Sequence, residues 1–77
     1  MKTYVVQRWK GDQLANEFGE VAAENPRQAI EQSQALTEMQ TAGTGDPRDW
    51  AYEDDADGAG SITDPADPDH FIEALPL

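Results

Sequence analysis

"DPADPDHFIEALPL", Asp64–Leu77, decides how many strands this chain has. Its first half is broken by two prolines and reads as irregular. Its second half, His70–Leu77, has two readings. Asp67 followed by Pro68 can cap a short helix that turns Phe71, Ile72 and Leu75 inward. Alternatively Phe71, Glu73 and Leu75 alternate along an edge strand. The strand is preferred, because an isolated helix of this length is marginal in water and Pro76 is tolerated at a sheet edge.

Upstream, "DWAYED" (Asp49–Asp54) alternates and reads as a strand with Trp50 and Tyr52 on one face. "ADGAG" is a turn around Asp57-Gly58, a dipeptide favoured in tight hairpins, and "SIT" (Ser61–Thr63) is a short return strand. At the other end, "KTYVVQRW" (Lys2–Trp9) is rich in β-branched and aromatic residues, with Tyr4, Val6 and Arg8 on one face and Val5, Gln7 and Trp9 on the other. A Gly-Asp turn leads into "NEFGEVAAE" (Asn16–Glu24), a second strand with Val21 and Ala23 on one face and Phe18 and Ala22 on the other. Between the halves, "NPRQAIEQSQALTEMQ" has Asn25 as N-cap, Pro26 at the first helical position and Gln28 two later. Ala29, Ile30, Ser33, Leu36 and Thr37 form its apolar stripe, and Gly43 is its stop signal. The expected fold is α+β: a small antiparallel sheet in the order β-β-α-β-β, with one helix packed across one face.

With 77 residues the chain makes a single domain, 1–77, comprising a β-β-α half (2–43) and an acidic half (44–77). The sequence has no cysteine, so disulfides and thiolate zinc sites are excluded. No stretch approaches the roughly 20 apolar residues of a membrane helix, and Met1–Trp9 has no apolar core of signal-peptide length. The absence of cysteine fits a reducing cytosol, and a cytoplasmic location is expected. Net charge is −11: residues 1–43 contribute −2, and residues 44–77, with Arg48 as their one base, contribute −9. Such a balance repels nucleic acid and membranes, so no direct contact with either is expected; it attracts basic protein surfaces.

Catalysis has little to work with. Ser33 and Ser61 are the two serines, with no persuasive Ser/His/Asp order, and Gly43, Gly45, Gly58 and Gly60 match no phosphate-loop spacing. The carboxylates stand in an exposed loop without an apolar pocket to tune them. The chain is therefore read as no enzyme, with no cofactor. His70, with Asp67, Asp69 and Glu73 near it in sequence, is a weak metal set and is read as a surface or strand-edge residue. An alternative reading is a calcium-binding module using the 53–64 loop: an EF-hand register places Glu53, Asp55, Asp57 and Asp64 at loop positions 1, 3, 5 and 12 with Gly58 at the bend. Gly60 at the apolar anchor position, and Pro65 and Pro68 where a helix should leave the loop, oppose it.

Three accounts of the acidity compete. The carboxylates form a ligand for a basic groove, or they adapt a housekeeping module to a salt-rich cell, or residues 53–69 are a disordered acidic loop. Low lysine (Lys2 and Lys10) fits the second; six glutamines and a near-balanced first half fit it less well. The opening "MKTYVV", the hairpin and "AAENPRQAIEQ", over residues 2–40, resemble in pattern a small β-β-α module of phage and mobile-element proteins. That group includes the anti-CRISPR proteins, small inhibitors of host defence, several of which are acidic and block DNA access. The resemblance implies a phage-encoded, non-enzymatic inhibitor in the host cytosol that mimics DNA and occupies a basic groove of a nucleic-acid-handling complex. The contacts expected from charge are Glu53, Asp54, Asp55, Asp57, Asp64, Asp67 and Asp69, with Trp9 as an aromatic anchor. Trp50 or Tyr52 is expected in the core, because an aromatic buries about 150–250 Å² in a thin core.

Overall fold

A computed structural model describes residues 1–35, 50–55 and 57–77. Strands β1 (Lys2–Lys10) and β2 (Gln13–Ala23) form the first hairpin, helix α1 (Pro26–Gln32) follows, and strands β3 (Ala51–Asp54), β4 (Gly60–Asp64) and β5 (Asp67–Pro76) complete the described chain. All neighbours pair antiparallel in the order β2-β1-β5-β4-β3. The architecture is therefore mostly β, and it corrects the expected α+β β-β-α-β-β arrangement: five strands form one sheet, and the described helix on it has only seven residues.

The opening stretch supplies β5, the strand its alternation favours. His70–Leu77 does extend, but at the centre of the sheet, between β1 and β4, rather than at its edge. The pleat sends His70, Ile72 and Ala74 to the covered face and leaves Phe71, Glu73 and Leu75 half-buried on the other. A helix of this length could satisfy only its own backbone, whereas the strand satisfies two neighbours and buries a row of side chains. Pro65 and Pro68 are accommodated outside the paired positions. Pro65 lies in the two-residue turn between the paired Asp64 and Asp67, where the Ala66 N–H donates to Asp64 Oδ1 at 2.9 Å. The β1–β5 pairing begins at Lys10–His70, beyond Pro68.

The second strand does not keep one parity. Tyr4 faces Val21 and Val5 faces Glu20, but Gln7 faces Glu17, so Phe18 and Gly19 share the place opposite Val6. Gly19 has φ +77°, the left-handed conformation of a bulge glycine. The bulge brings Phe18 onto the core beside Val21, which strict alternation would place on the opposite face.

Helix α1 begins as its sequence indicates. Asn25 Oδ1 accepts from the Gln28 N–H at 2.8 Å, and the Glu24 N–H donates to Gln28 Oε1 at 2.7 Å. It ends early at Ser33, whose backbone is extended and whose hydroxyl donates to the Ile30 carbonyl at 2.7 Å. Serine here competes with the helical ladder instead of continuing the stripe. Leu36, Thr37 and Gly43 lie outside the described residues. Pro26, Ala29 and Ile30 are buried on a core containing Tyr4, Val6, Ala23, Trp50, Ile62, Ile72 and Ala74. Trp50 is thus a core residue, and Tyr52 packs against the core's margin.

Gly60 is where the helix meets the sheet. A Cβ there would stand 2.9 Å from Pro26 Cβ, closer than carbon atoms pack. Gly60→Ala should therefore lift the start of α1 and cost about 1–3 kcal/mol, read as a lower urea midpoint with an unchanged slope.

Candidate functional site

The two faces of the sheet differ in charge as well as in cover. Tyr4, Val6 and Arg8 share the covered face, and the register adds Lys2 opposite Ala23 and Lys10 opposite His70. Arg27 rides on α1, its guanidinium carbon 5.3 Å from the Tyr52 ring centroid and its Nε 3.2 Å from Glu31 Oε1. All four basic side chains among the described residues therefore belong to the helix side.

The opposite face carries acids. Reading the register across the strands gives the row Glu17, Gln7, Glu73, Ser61, Glu53. Neighbouring strands are about 4.8 Å apart, which spaces Glu17, Glu73 and Glu53 at roughly 10 Å intervals. Burial, and then the Asp55 and Asp57 carboxylates close by, push the Glu73 carboxyl above its ordinary value. A second row, Leu14, Trp9, Phe71, Thr63, Ala51, runs beside the first. The Trp9 and Phe71 rings in it lie 6.4 Å apart and within 12° of parallel. Val5, Trp9, Phe71 and Leu75 are half-buried and Leu14 is 46 % exposed. The open face thus couples apolar surface to carboxylates, with no basic side chain among the described residues.

The expected contact residues are dispersed by this geometry. Glu53 is exposed in the acidic row, and Asp55 and Asp57 are exposed in the β3–β4 hairpin. That hairpin is closed by bonds from the Asp55 N–H to the Ala59 carbonyl and from the Gly58 N–H to the Asp55 carbonyl. It is the turn around Asp57-Gly58 that the sequence indicates. Asp54 points to the helix side, where it accepts from the Tyr52 hydroxyl at 2.6 Å; burial and this bond raise the phenol well above its usual value. Asp67 is ion-paired with Lys10, which holds its carboxyl below the usual range. Asp69 is exposed, and its carbonyl accepts from the Gly11 N–H. Asp64 is 3 % exposed on the covered face and takes no part in the open face. Trp9 does reach the open face. The EF-hand register is taken apart, since Glu53 and Asp64 stand on opposite faces of the sheet. No group of three or more metal-ligating side chains occurs among the described residues.

His70 corrects another expectation. It is 5 % exposed on the covered face, edge-on to Trp50 at 5.5 Å, rather than at a surface or strand edge. Arg8 Nη1 lies 3.1 Å from its Nε2 and donates there, which leaves Nδ1 as the protonated nitrogen, 3.7 Å from Asp64 Oδ2. Arg8, Lys10, Ala15, Asp64, Ala66, Asp67 and His70 line an open cleft of about 580 Å³. Desolvation, and then the Arg8 and Lys10 charges, lower the affinity of His70 for a proton, and Asp64 and Asp67 only partly oppose them. With Nε2 occupied by a donor, the imidazole has no free lone pair for base catalysis. The group holds the β1, β4 and β5 ends together.

A pH dependence follows. The folded His70 binds its proton less readily than the unfolded one, so this contribution to stability is complete at neutral pH. It is lost as pH falls below about 6.5, where the unfolded chain takes up a proton that the folded one refuses. Glu73 acts with the opposite sign and lower, near and above 4.5, because the folded carboxyl is the more readily protonated. Thermal melts should lose stability as pH falls from neutral to below the ordinary imidazole value, and His70→Gln, which keeps an acceptor for Arg8, should flatten that interval. An equal loss in His70→Gln would assign the dependence to another group.

No protein-family model, curated protein or solved structure matches the chain. No helix among the described residues is long and apolar enough to cross a membrane. The acidic row was missed in sequence because its three carboxylates come from three different strands; the alternation of Phe71, Glu73 and Leu75 was the one local signal for it.

Proposed function

We propose that this chain is a non-enzymatic binding protein whose acidic sheet face occupies a basic groove of a nucleic-acid-handling protein, acting as an inhibitor in the cytosol. One observation carries the reading: the sheet separates charge, placing Glu17, Glu53 and Glu73 in register on the face from which every described basic side chain is absent. Carboxylates held in rows on a β-sheet offer a basic groove a fixed pattern of negative charge, which is what such grooves recognise in a phosphate backbone. Glu73 strengthens the case, because burial and then the Asp55 and Asp57 charges disfavour its ionised form in the free protein, and a cationic partner would offset that cost. The pattern-level resemblance of residues 2–40 to phage anti-CRISPR inhibitors supplies the class of host complex to try first. Within this reading Glu17 and Glu73 join Glu53, Asp55, Asp57 and Trp9 as contacts. Asp64, buried, is replaced.

Affinity purification from bacterial lysate at low and raised salt, followed by a nucleic-acid gel-shift assay on the recovered proteins, tests this. The expected partners bind nucleic acid, lose it when this chain is added, and are released as salt rises. Partners that persist through molar salt, or that keep their nucleic acid in the presence of the chain, would overturn the proposal.

A further inference from the structure

We infer that the open face reads arginine in preference to lysine, with a partner guanidinium lying on the Trp9–Phe71 rings and its N–H fork turned to Glu73. This deepens the proposed function and rests on its reading of the face as a surface for a basic protein. Charge alone does not distinguish the two cations; the apolar row does. Trp9 and Phe71 present two nearly parallel rings, half-buried and fixed on adjacent strands, so the aromatic surface is in place before a partner arrives. Glu73 follows Phe71 by two residues on the same face of β5, about 7 Å along the strand. Gln7, in the same row, separates Glu73 from Glu17 and bonds Glu17 Oε2 through its Nε2 at 3.4 Å, so Glu17 is partly engaged and Glu73 is the carboxylate beside the rings.

A guanidinium suits this pairing of surfaces. It is planar and weakly hydrated, stacks on aromatic rings, and donates through a rigid fork that matches a carboxylate. A lysine ammonium is a strongly hydrated point charge. It gains from Glu73 but must shed water to approach the rings. On the far side of Phe71 the row continues with Thr63 and Ala51, small residues that add no bulk beside the rings. A second copy of this chain is a poor occupant, since two such faces would set carboxylates against carboxylates, and nucleic acid is repelled for the same reason.

Titration of the full chain with two peptides of equal length and charge, one alternating arginine with glycine and the other lysine with glycine, tests the inference by NMR at low salt. The arginine peptide should bind about fivefold to tenfold more tightly and shift the Trp9 indole and Phe71 ring signals. Trp9→Leu with Phe71→Leu, which keeps apolar bulk and removes the rings, should bring the ratio close to one while the lysine peptide binds as before. Should that variant not fold, Glu73→Gln, isosteric with the native residue, must weaken the arginine peptide by at least about threefold. Equal binding of the two peptides by the native chain would overturn the arginine preference and leave the charge-based reading standing. An arginine preference that survives loss of both rings would overturn the stacking. Binding of neither peptide would overturn both proposals.

Discussion

Ile72→Ala should cost about 2–5 kcal/mol, while Leu75→Ala on the same strand should cost about 1 kcal/mol or less. Ile72 is fully buried at the centre of β5, with Ile62 opposite it on β4 and Arg8 opposite on β1. Removing its side chain opens a cavity beneath a helix of seven residues, too short and too firmly tied at Asn25 to collapse into it. A chain of this length has a total stability of roughly 4–11 kcal/mol, so the first substitution can unfold a large share of the molecules. Leu75 is half-buried on the open face and loses less. Urea midpoints of the two variants therefore test the strand itself. A helix over His70–Leu77 would bury Phe71, Ile72 and Leu75 together, and the two substitutions would then cost the same.

The second large effect has two signs. Changing Glu53, Asp55, Asp57 and Glu73 together to their amides should weaken partner binding by about a hundredfold and at the same time raise the melting temperature. Exposed charges of this kind contribute about 0.7 kcal/mol each to a complementary surface, so four of them amount to about two decades in affinity. The same four are mutually repulsive in the free protein: the Asp55 and Asp57 charges add to burial in raising the Glu73 carboxyl, and none of the four has a basic side chain on its face among the described residues. Neutralising them relieves that repulsion, and most strongly at low ionic strength. A variant that binds its partner as tightly as the native chain would show that the acidic row is not the contact surface. A lower melting temperature would show that these carboxylates hold the fold together rather than strain it.

The local chemistry of individual elements was legible from residues alone. Asn25-Pro26 starts a helix because a side-chain acceptor precedes a residue with no N–H to satisfy, and the Gln28 bonds realise it. The alternation of Tyr4 and Val6 against Val5, Gln7 and Trp9 assigned β1's faces, and the structure keeps them. Asp57-Gly58 marked the β3–β4 hairpin. Other features depended on partners far away in sequence. Gly19 reads as an ordinary strand residue until the register against β1 makes it a bulge and moves Phe18 to the core. Ser33 fits a helical stripe by spacing, yet its hydroxyl ends the helix. Asp64 and His70 look like members of an acidic, solvated tail, and only the turn at Pro65-Ala66 and the approach of Arg8 bury them.

By itself the sequence determined the antiparallel strand-forming segments, the helix start, the turns and the excess of acid, because each depends on residues a few positions apart. The tertiary structure alone decided that His70–Pro76 would be a central strand, that the described bases would all lie on the helix side and leave the open face to carboxylates, and that His70 would be enclosed. Those outcomes depend on which strand lies beside which, and a pleat of period two converts that choice of neighbour and register into the position of every charge.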